Sequence, residues 1–571
     1  MPPIVRTSYL AIIGASALLS VSQSQAAAPV VYMDQGSAWT DSDRQDYYGR
    51  DQGSQIMPLS WAIALKQPDG SPFMAASLSR YGYLPNPQSN PPGLPVGFTA
   101  ANSSAGQQLG MTCSACHTRQ IDVDGQSYRI DGGPAISDFQ SFLADLDTAM
   151  GRVLADQAVF DAFAASVLGT VSSPAHKAEL RLAVEDWYQR YHTLISRALP
   201  KEPWGPARLD AVAMIFNRLT GLDIGPPPSY LIPENIREAV APVRYPFLWN
   251  AYRQDKTQWP GFADNGNDLL GLARNLGEVY GVFAMFHPKK DTKDLLRIDY
   301  LSTNSANFSG LAAQEKNIAK IGPPKWPWAI DQALAKQGEV LYNQPEAQGG
   351  CADCHGIKRG AFRSLSHETW ATPVQDVGTD SREHDVLQWT VNTGVLNGAK
   401  IPFLEKPLKP TDTAFNVLGT SVVGSILQHY AREFLGKETI TTTNALYMPT
   451  TAPLSGAFRS TAIKPSGDFP YEARVLQGIW AAAPYLHNGS VPTLAELLKP
   501  AAERVASFKV GPAYDIQAVG LAAEQSKFGD YTLSTTDCNA RNSGNSRCGH
   551  EFGTTLPDAD KLALLEYLKT L

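Results

Sequence analysis

Cysteine is scarce in this chain, with six residues in 571, which argues against a disulfide-stapled scaffold. Charge is modest, at 18% Asp, Glu, Lys and Arg, and the formal balance is −7. That sign, with no run of Lys or Arg, argues against nucleic acid as a partner and against a basic membrane-surface patch. The apolar run near the N-terminus, Leu10 to Leu19, is too short to span a bilayer, and no integral membrane protein is expected. There is no low-complexity tail. At this length, with 43% hydrophobic residues, the chain can bury large cores and form two or three domains.

One short motif occurs twice. Cys113-Ser114-Ala115-Cys116-His117 and Cys351-Ala352-Asp353-Cys354-His355 use four of the six cysteines. C-x-x-C-H is the attachment site of a c-type haem. One helical turn presents two sulfurs to the porphyrin vinyl groups, and the adjoining imidazole reaches the iron. Two C-x-x-C pairs can also build a structural zinc site, but the His directly after each pair speaks for haem. Two covalent c-type haems are expected, held by Cys113 and Cys116 and by Cys351 and Cys354, with His117 and His355 on the irons. A calcium ion is left open.

The N-terminus reads as a secretory signal over residues 1–26. It has Arg6, the apolar run and a small-residue exit at Ser24-Gln25-Ala26; an uncleaved anchor is the alternative. A periplasmic or secreted location agrees with haem attachment outside the cytoplasm. It also suits a disulfide between Cys538 and Cys548, which flank a polar loop. Such a closure contributes about 2–3 kcal/mol if unstrained; two free thiols are the alternative.

Residues 27–104 are rich in Pro, Gly and Ser and read as a segment wrapping the first haem domain. That domain is expected over 105–328, with Gly106 to Met111 leading into a short helix. Helices follow near 137–154, 158–167, 175–198, 207–220 and 267–284, from apolar residues at helical spacing. Pro323-Pro324-Lys325-Trp326-Pro327 forbids a continuous helix and opens a second cytochrome c domain over 329–571. Its first helix, Ile330 to Tyr342, is expected to cross a last one over Pro557 to Leu571. The expected fold is mainly α, with two cytochrome c-like haem domains, long loops and a helical or irregular insert.

The opposite face of each iron decides between electron transfer and reactivity. Among the other histidines two stand out. His550 lies in Gly549-His550-Glu551-Phe552-Gly553, just after the Cys538–Cys548 loop. His487 lies in Pro484-Tyr485-Leu486-His487-Asn488-Gly489-Ser490. Met448 is a weaker candidate. Nothing comparable follows the first haem closely, which favours an open site there.

With Ala482-Ala483-Pro484-Tyr485-Leu486-His487-Asn488-Gly489-Ser490-Val491-Pro492-Thr493-Leu494, the two haem motifs resemble the bacterial di-haem cytochrome c peroxidase superfamily. The length, the His550 stretch and Tyr245-Pro246-Phe247-Leu248-Trp249 are similar to its larger branch, the rubber oxygenases and di-haem fatty-acid dioxygenases. The resemblance implies a reactive N-terminal haem on His117, the catalytic residue. It also implies a C-terminal electron-transfer haem between His355 and His550, with His487 beside it as the alternative ligand. Phe216, Tyr245, Phe247, Trp249, Trp259, Phe283 and Phe286 are either core around a large cofactor or the lining of an apolar substrate pocket. The leading expectation is a dioxygenase adding O2 to a fatty acid or polyisoprene-like chain. The alternative is a peroxidase reducing H2O2 with electrons from a small redox protein, which needs an acid–base group over the first haem. A plain electron carrier and an oxidase of protein side chains complete the set.

Overall fold

The computed structural model describes residues 29–362, 368–401, 406–436 and 468–571. The expected signal over 1–26 and Met448 lie outside the described residues.

Small sheets frame the first C-x-x-C-H segment. Strands β1 (Val31–Tyr32), β6 (Gln126–Asp131) and β5 (Thr118–Val123) form one sheet, and β2 (Met57–Pro58), β4 (Gly106–Met111) and β3 (Phe98–Ser103) form another. Seven two-stranded ladders add to these among the described residues. The expectation of a mainly α chain is therefore corrected: the fold is mixed α/β. Most of the ladders pair strands of two or three residues, too short to carry a period-two pattern. The β5–β6 hairpin did carry a signal, the two-residue turn Asp124-Gly125, with φ of 50° and 80°. Asp-Gly suits a turn in which both residues are left-handed. Gly106–Met111 is strand β4, paired along its length with β3, and leads as expected into a short helical turn, Cys113–Ala115.

The helices stand close to their expected places. After α1 (Asp41–Gly49) and α2 (Leu59–Ala64) come α3 (Phe139–Ala155), α4 (Gln157–Leu168), α5 (Pro174–Ala198) and α6 (Ala211–Leu222). Side-chain caps set their starts: Asp138, Asp156, Ser173 and Asp210 each accept from a backbone N–H in the first turn. Next come α7 (Asp268–Gly281), capped by Asn267, and α8 (Phe308–Lys320). The second half supplies α9 (Gln332–Tyr342), α10 (Ala352–His355), α11 (Arg382–Leu387), α12 (Ala414–Leu435) and a terminal helix, Asp558–Thr570. No single described helix is long and apolar enough to cross a membrane.

Helix α9 crosses the terminal helix at Gly338, where a Cβ would lie 2.0 Å from the Ala563 carbonyl oxygen. Only glycine allows that approach. Hydrophobic packing runs across the two motif-bearing halves. Val422 and Ile426 of α12 share a core with Leu276 of α7, while Ile121 and Trp249 share one with Trp480 and Leu565.

Candidate functional site: two cavities with a common wall

The first C-x-x-C-H segment leaves the end of β4 and enters β5, pinned by the N-terminal segment. Tyr47 Oη on α1 donates to the His117 carbonyl (2.8 Å), and Ser114 Oγ donates to the Tyr47 carbonyl (2.9 Å). Gln52 Oε1 accepts from the Cys113 N–H at 3.2 Å. The His117 ring is oriented by a contact from Nδ1 to the Pro246 carbonyl at 2.8 Å. That leaves Nε2 for a ligand, as in many histidine metal sites. Burial lowers the His117 pKa to about 4, so the ring is neutral, the form that binds metal.

The second segment repeats this arrangement on different elements. Tyr342 Oη, at the end of α9, donates to the His355 carbonyl (3.2 Å), and His355 Nδ1 meets the Arg474 carbonyl at 2.7 Å. In both halves a tyrosine fixes the motif backbone and a distant carbonyl fixes the ring.

Each segment borders a cavity. Cys113, Cys116 and His117 line one; Cys351, Cys354 and His355 line the other. Two thiols and an imidazole converging on one space fit a c-type haem at each place. The two cavities differ in what faces the histidine. Among the described residues lining the first, His117 is the sole histidine. The second also contains His487 and His550.

The His355 and His550 rings lie 6.2 Å apart between centroids. A metal bound about 2.0–2.1 Å from one nitrogen of each imidazole would separate the ring centres by about that much. His550 has a left-handed backbone, φ 54°, rare for a non-glycine residue. The Arg504 guanidinium holds its loop by donating to the carbonyls of Arg547 (2.7 Å), Gly549 (2.7 Å) and His550 (3.1 Å). A disulfide joins Cys538 to Cys548 just before it. Burial, then the nearby His355, lowers the His550 pKa to about 3. His487 instead stacks on the Tyr471 ring at 3.6 Å, a packing that occupies one face of its imidazole.

Arg244, Phe247, Trp259, Glu472 and Arg474 line both cavities. Trp259 Nε1 donates to the Arg244 carbonyl at 3.0 Å, and Arg474 lies 4.2 Å over the Phe247 ring. Burial, with Arg474 adding to it, lowers the Arg244 pKa to about 9. Burial raises that of Glu472, their acidic neighbour, to about 7. Two buried guanidiniums with one weakly ionised carboxyl between them form a wall that favours anions. Arg244 and Arg474 could hold an anionic group of a cofactor in either cavity.

The first cavity also holds an acid–base group that sequence reasoning missed. Glu278 on α7 faces it together with Arg274, one turn earlier on the same helix. Gln258 Nε2 donates to Glu278 Oε1 at 2.8 Å, and burial raises the Glu278 pKa. The only sequence signal was the i, i+4 spacing of Arg274 and Glu278. Of the aromatics singled out, Tyr245, Phe247 and Trp259 line this cavity. Trp249, Phe283 and Phe286 are buried in the hydrophobic cores. Among the described residues no cluster of three or more His, Cys, Asp or Glu side chains could hold a further ion.

Residues 470–509 match a family model described as RoxA-like, cytochrome c-like. That segment carries Tyr471, Glu472, Arg474 and His487, and so contributes to the walls of both cavities. The chain is also similar to two uncharacterised proteins of Sinorhizobium fredii. One, y4iJ, is 27% identical over 93% of this chain and 92% of its own length. The other, y4iM, is 25% identical over 57% of this chain and 63% of its own. The likeness of this segment to a cytochrome c-like family supports a c-type haem with its iron and a haem-dependent oxidoreductase.

Proposed function

We propose that the protein is an exported di-haem oxygenase that adds O2 to an unsaturated apolar substrate in the first cavity. The observation that carries this reading is the contrast between the cavities. The first offers one histidine, His117, among apolar walls such as Phe139, Val212, Ile215 and Phe247; the second sets His355 opposite His550. A haem with one protein ligand supplies a reactive iron, and one held on both faces carries electrons. His117, its ring held by the Pro246 carbonyl, would be the residue that holds the reactive iron. The apolar walls exclude water and orient an alkene. Arg244 and Arg474, which line both cavities, would favour anionic groups in either one.

A second reading, peroxide reduction with electrons from a small redox protein, draws support from Glu278. A carboxyl whose pKa burial raises, with Gln258 fixing its orientation, can take up and return the proton that peroxide cleavage requires.

The test is oxygen uptake by the haem-loaded protein given oleate or polyisoprene latex, with no peroxide or reductant. Uptake matched by oxygenated product is the expected result. No uptake, with rapid peroxide-dependent oxidation of a reduced cytochrome, would establish the second reading instead. In that case Glu278→Gln lowers turnover by about 10²–10⁴.

A further inference from the structure

Two buried carboxyls beside the first cavity each keep an oxygen with no hydrogen-bond partner among the described residues, Glu383 Oε2 and Glu472 Oε2. Both side chains line that cavity, and Glu472 lines the second one as well. Buried polar atoms are nearly always paired, and an unpaired one asks for a reason. A buried carboxylate oxygen without a donor is unfavourable, because burial opposes the charged form. A proton on that oxygen removes the penalty.

Glu472 is fixed in place. Its segment Tyr471–Glu472 pairs with Val374–Gln375, and its backbone N–H donates to the Trp259 carbonyl at 2.8 Å. Its Oε1 lies 3.6 Å from Arg474 Nε. Burial raises its pKa to about 7, against the pull of Arg474 on its own segment, Arg244 of Val243–Arg244 and Arg274 of α7. From α7, Glu278 faces the same cavity. From α11 come Glu383 and His384, whose Nε2 meets the Pro470 carbonyl at 3.1 Å. Burial, then Asp210, Glu472 and Asp380, raises the Glu383 pKa well above the ordinary carboxyl range. Glu383 therefore stays neutral, and Glu472 is the member of the pair that changes charge near neutral pH.

An electron entering a haem in either cavity adds negative charge beside this carboxyl. Like charges repel strongly at short range in a low dielectric, and a carboxylate responds by binding a proton. We propose that Glu472 is a proton-binding site coupled to both cavities, taking a proton from solvent when an adjoining haem is reduced and releasing it on reoxidation. Each coupled step balances as one electron and one proton. A one-electron donor is oxidised, ferric haem becomes ferrous, and the Glu472 carboxylate becomes the acid. The proposal rests on haem in the two cavities and not on what the first haem does with oxygen.

The experiment is a redox titration of the haem-loaded protein, followed by haem absorbance at pH values on both sides of about 7. The equilibrium constant for reduction is expected to fall as pH rises, by up to about tenfold per unit. The sign follows from the proton bound on reduction, since a scarcer proton disfavours the reduced form. Glu472→Gln, whose amide keeps the shape and stays neutral, flattens that dependence, and Glu472→Asp restores it. A dependence as steep in a folded Glu472→Gln protein as in the native one would overturn the proposal and assign the proton to another group, such as a haem carboxylate. A native protein with no dependence would overturn it too. Infrared spectra of reduced minus oxidised native protein give a reading that needs no variant, because an acid C=O band appears on reduction. Its absence overturns the proposal even if Glu472→Gln fails to fold. Oxygen uptake with oleate is read separately, and its failure would remove the oxygenase reading while the proton site stands.

Discussion

Arg244 and Trp259 hold each other at two points. The indole N–H donates to the Arg244 carbonyl at 3.0 Å, and the Arg244 guanidinium lies 4.7 Å from the Trp259 ring centre. Both side chains line both cavities, so the pair is a physical partition between the two sites.

Trp259→Leu removes a hydrogen bond and a buried cation–π contact, together worth about 2 kcal/mol. Denaturant unfolding should show that loss, with a smaller one for Trp259→Phe, which keeps a ring. With haem bound, stopped-flow reduction should show slower electron exchange between the sites in the Leu variant. Unchanged exchange would mean that the partition is only structural.

Asp131 anchors the N-terminal segment to the first site. Its carboxylate accepts from Trp39 Nε1 (2.8 Å), Arg44 Nε (2.7 Å) and Tyr48 Oη (2.5 Å), all buried. Asp131→Ala takes away the buried partner of Arg44, leaving it the exposed Asp41, and strands the Trp39 and Tyr48 donors, at a cost of about 1–3 kcal/mol. Thermal unfolding is expected to fall accordingly, with proteolysis appearing first before residue 104.

His550→Ala should change the spectrum of the second haem and leave the first unaltered. His487→Ala should leave both ligand sets intact, because its ring is stacked on Tyr471. Magnetic circular dichroism or electron paramagnetic resonance distinguishes the two. The reverse pattern would exchange their roles.

Glu472 makes stability depend on pH. Burial raises its pKa from 4.5 to about 7, so the folded state keeps a proton that the unfolded chain releases. The unfolded state thus binds fewer protons, and stability falls as pH rises from about 4.5 to about 7. Glu472→Gln should flatten the melting temperature across that window. An equally steep decline in the variant would assign the effect to other buried acids, such as Asp210, whose pKa is also about 7 through burial.

Much of the local structure was legible in the chain. Apolar spacing and capping residues place α3 to α7 and α9, because helix signals are local and repeat every few residues. The ladders were not legible, since strands of two residues are made by pairing with distant backbone, as Val374–Gln375 pairs with Tyr471–Glu472. Glu278 was hidden for the same reason. Nothing near it in sequence reveals that Gln258, Cys113 and Cys116 are its neighbours.

The sequence by itself determined the chemistry available at two points: paired thiols with an adjoining imidazole, a spacing dictated by the porphyrin they would hold. Only the tertiary structure decided what surrounds them. It set His550 against His355 and surrounded His117 with apolar side chains and the buried carboxyls of Glu278, Glu383 and Glu472. It also drew Arg244, Trp259 and Arg474 into a wall between the cavities. The physical reason is that covalent spacing is fixed within a single turn, whereas pocket lining, charge pairing and burial depend on contacts between residues hundreds of positions apart.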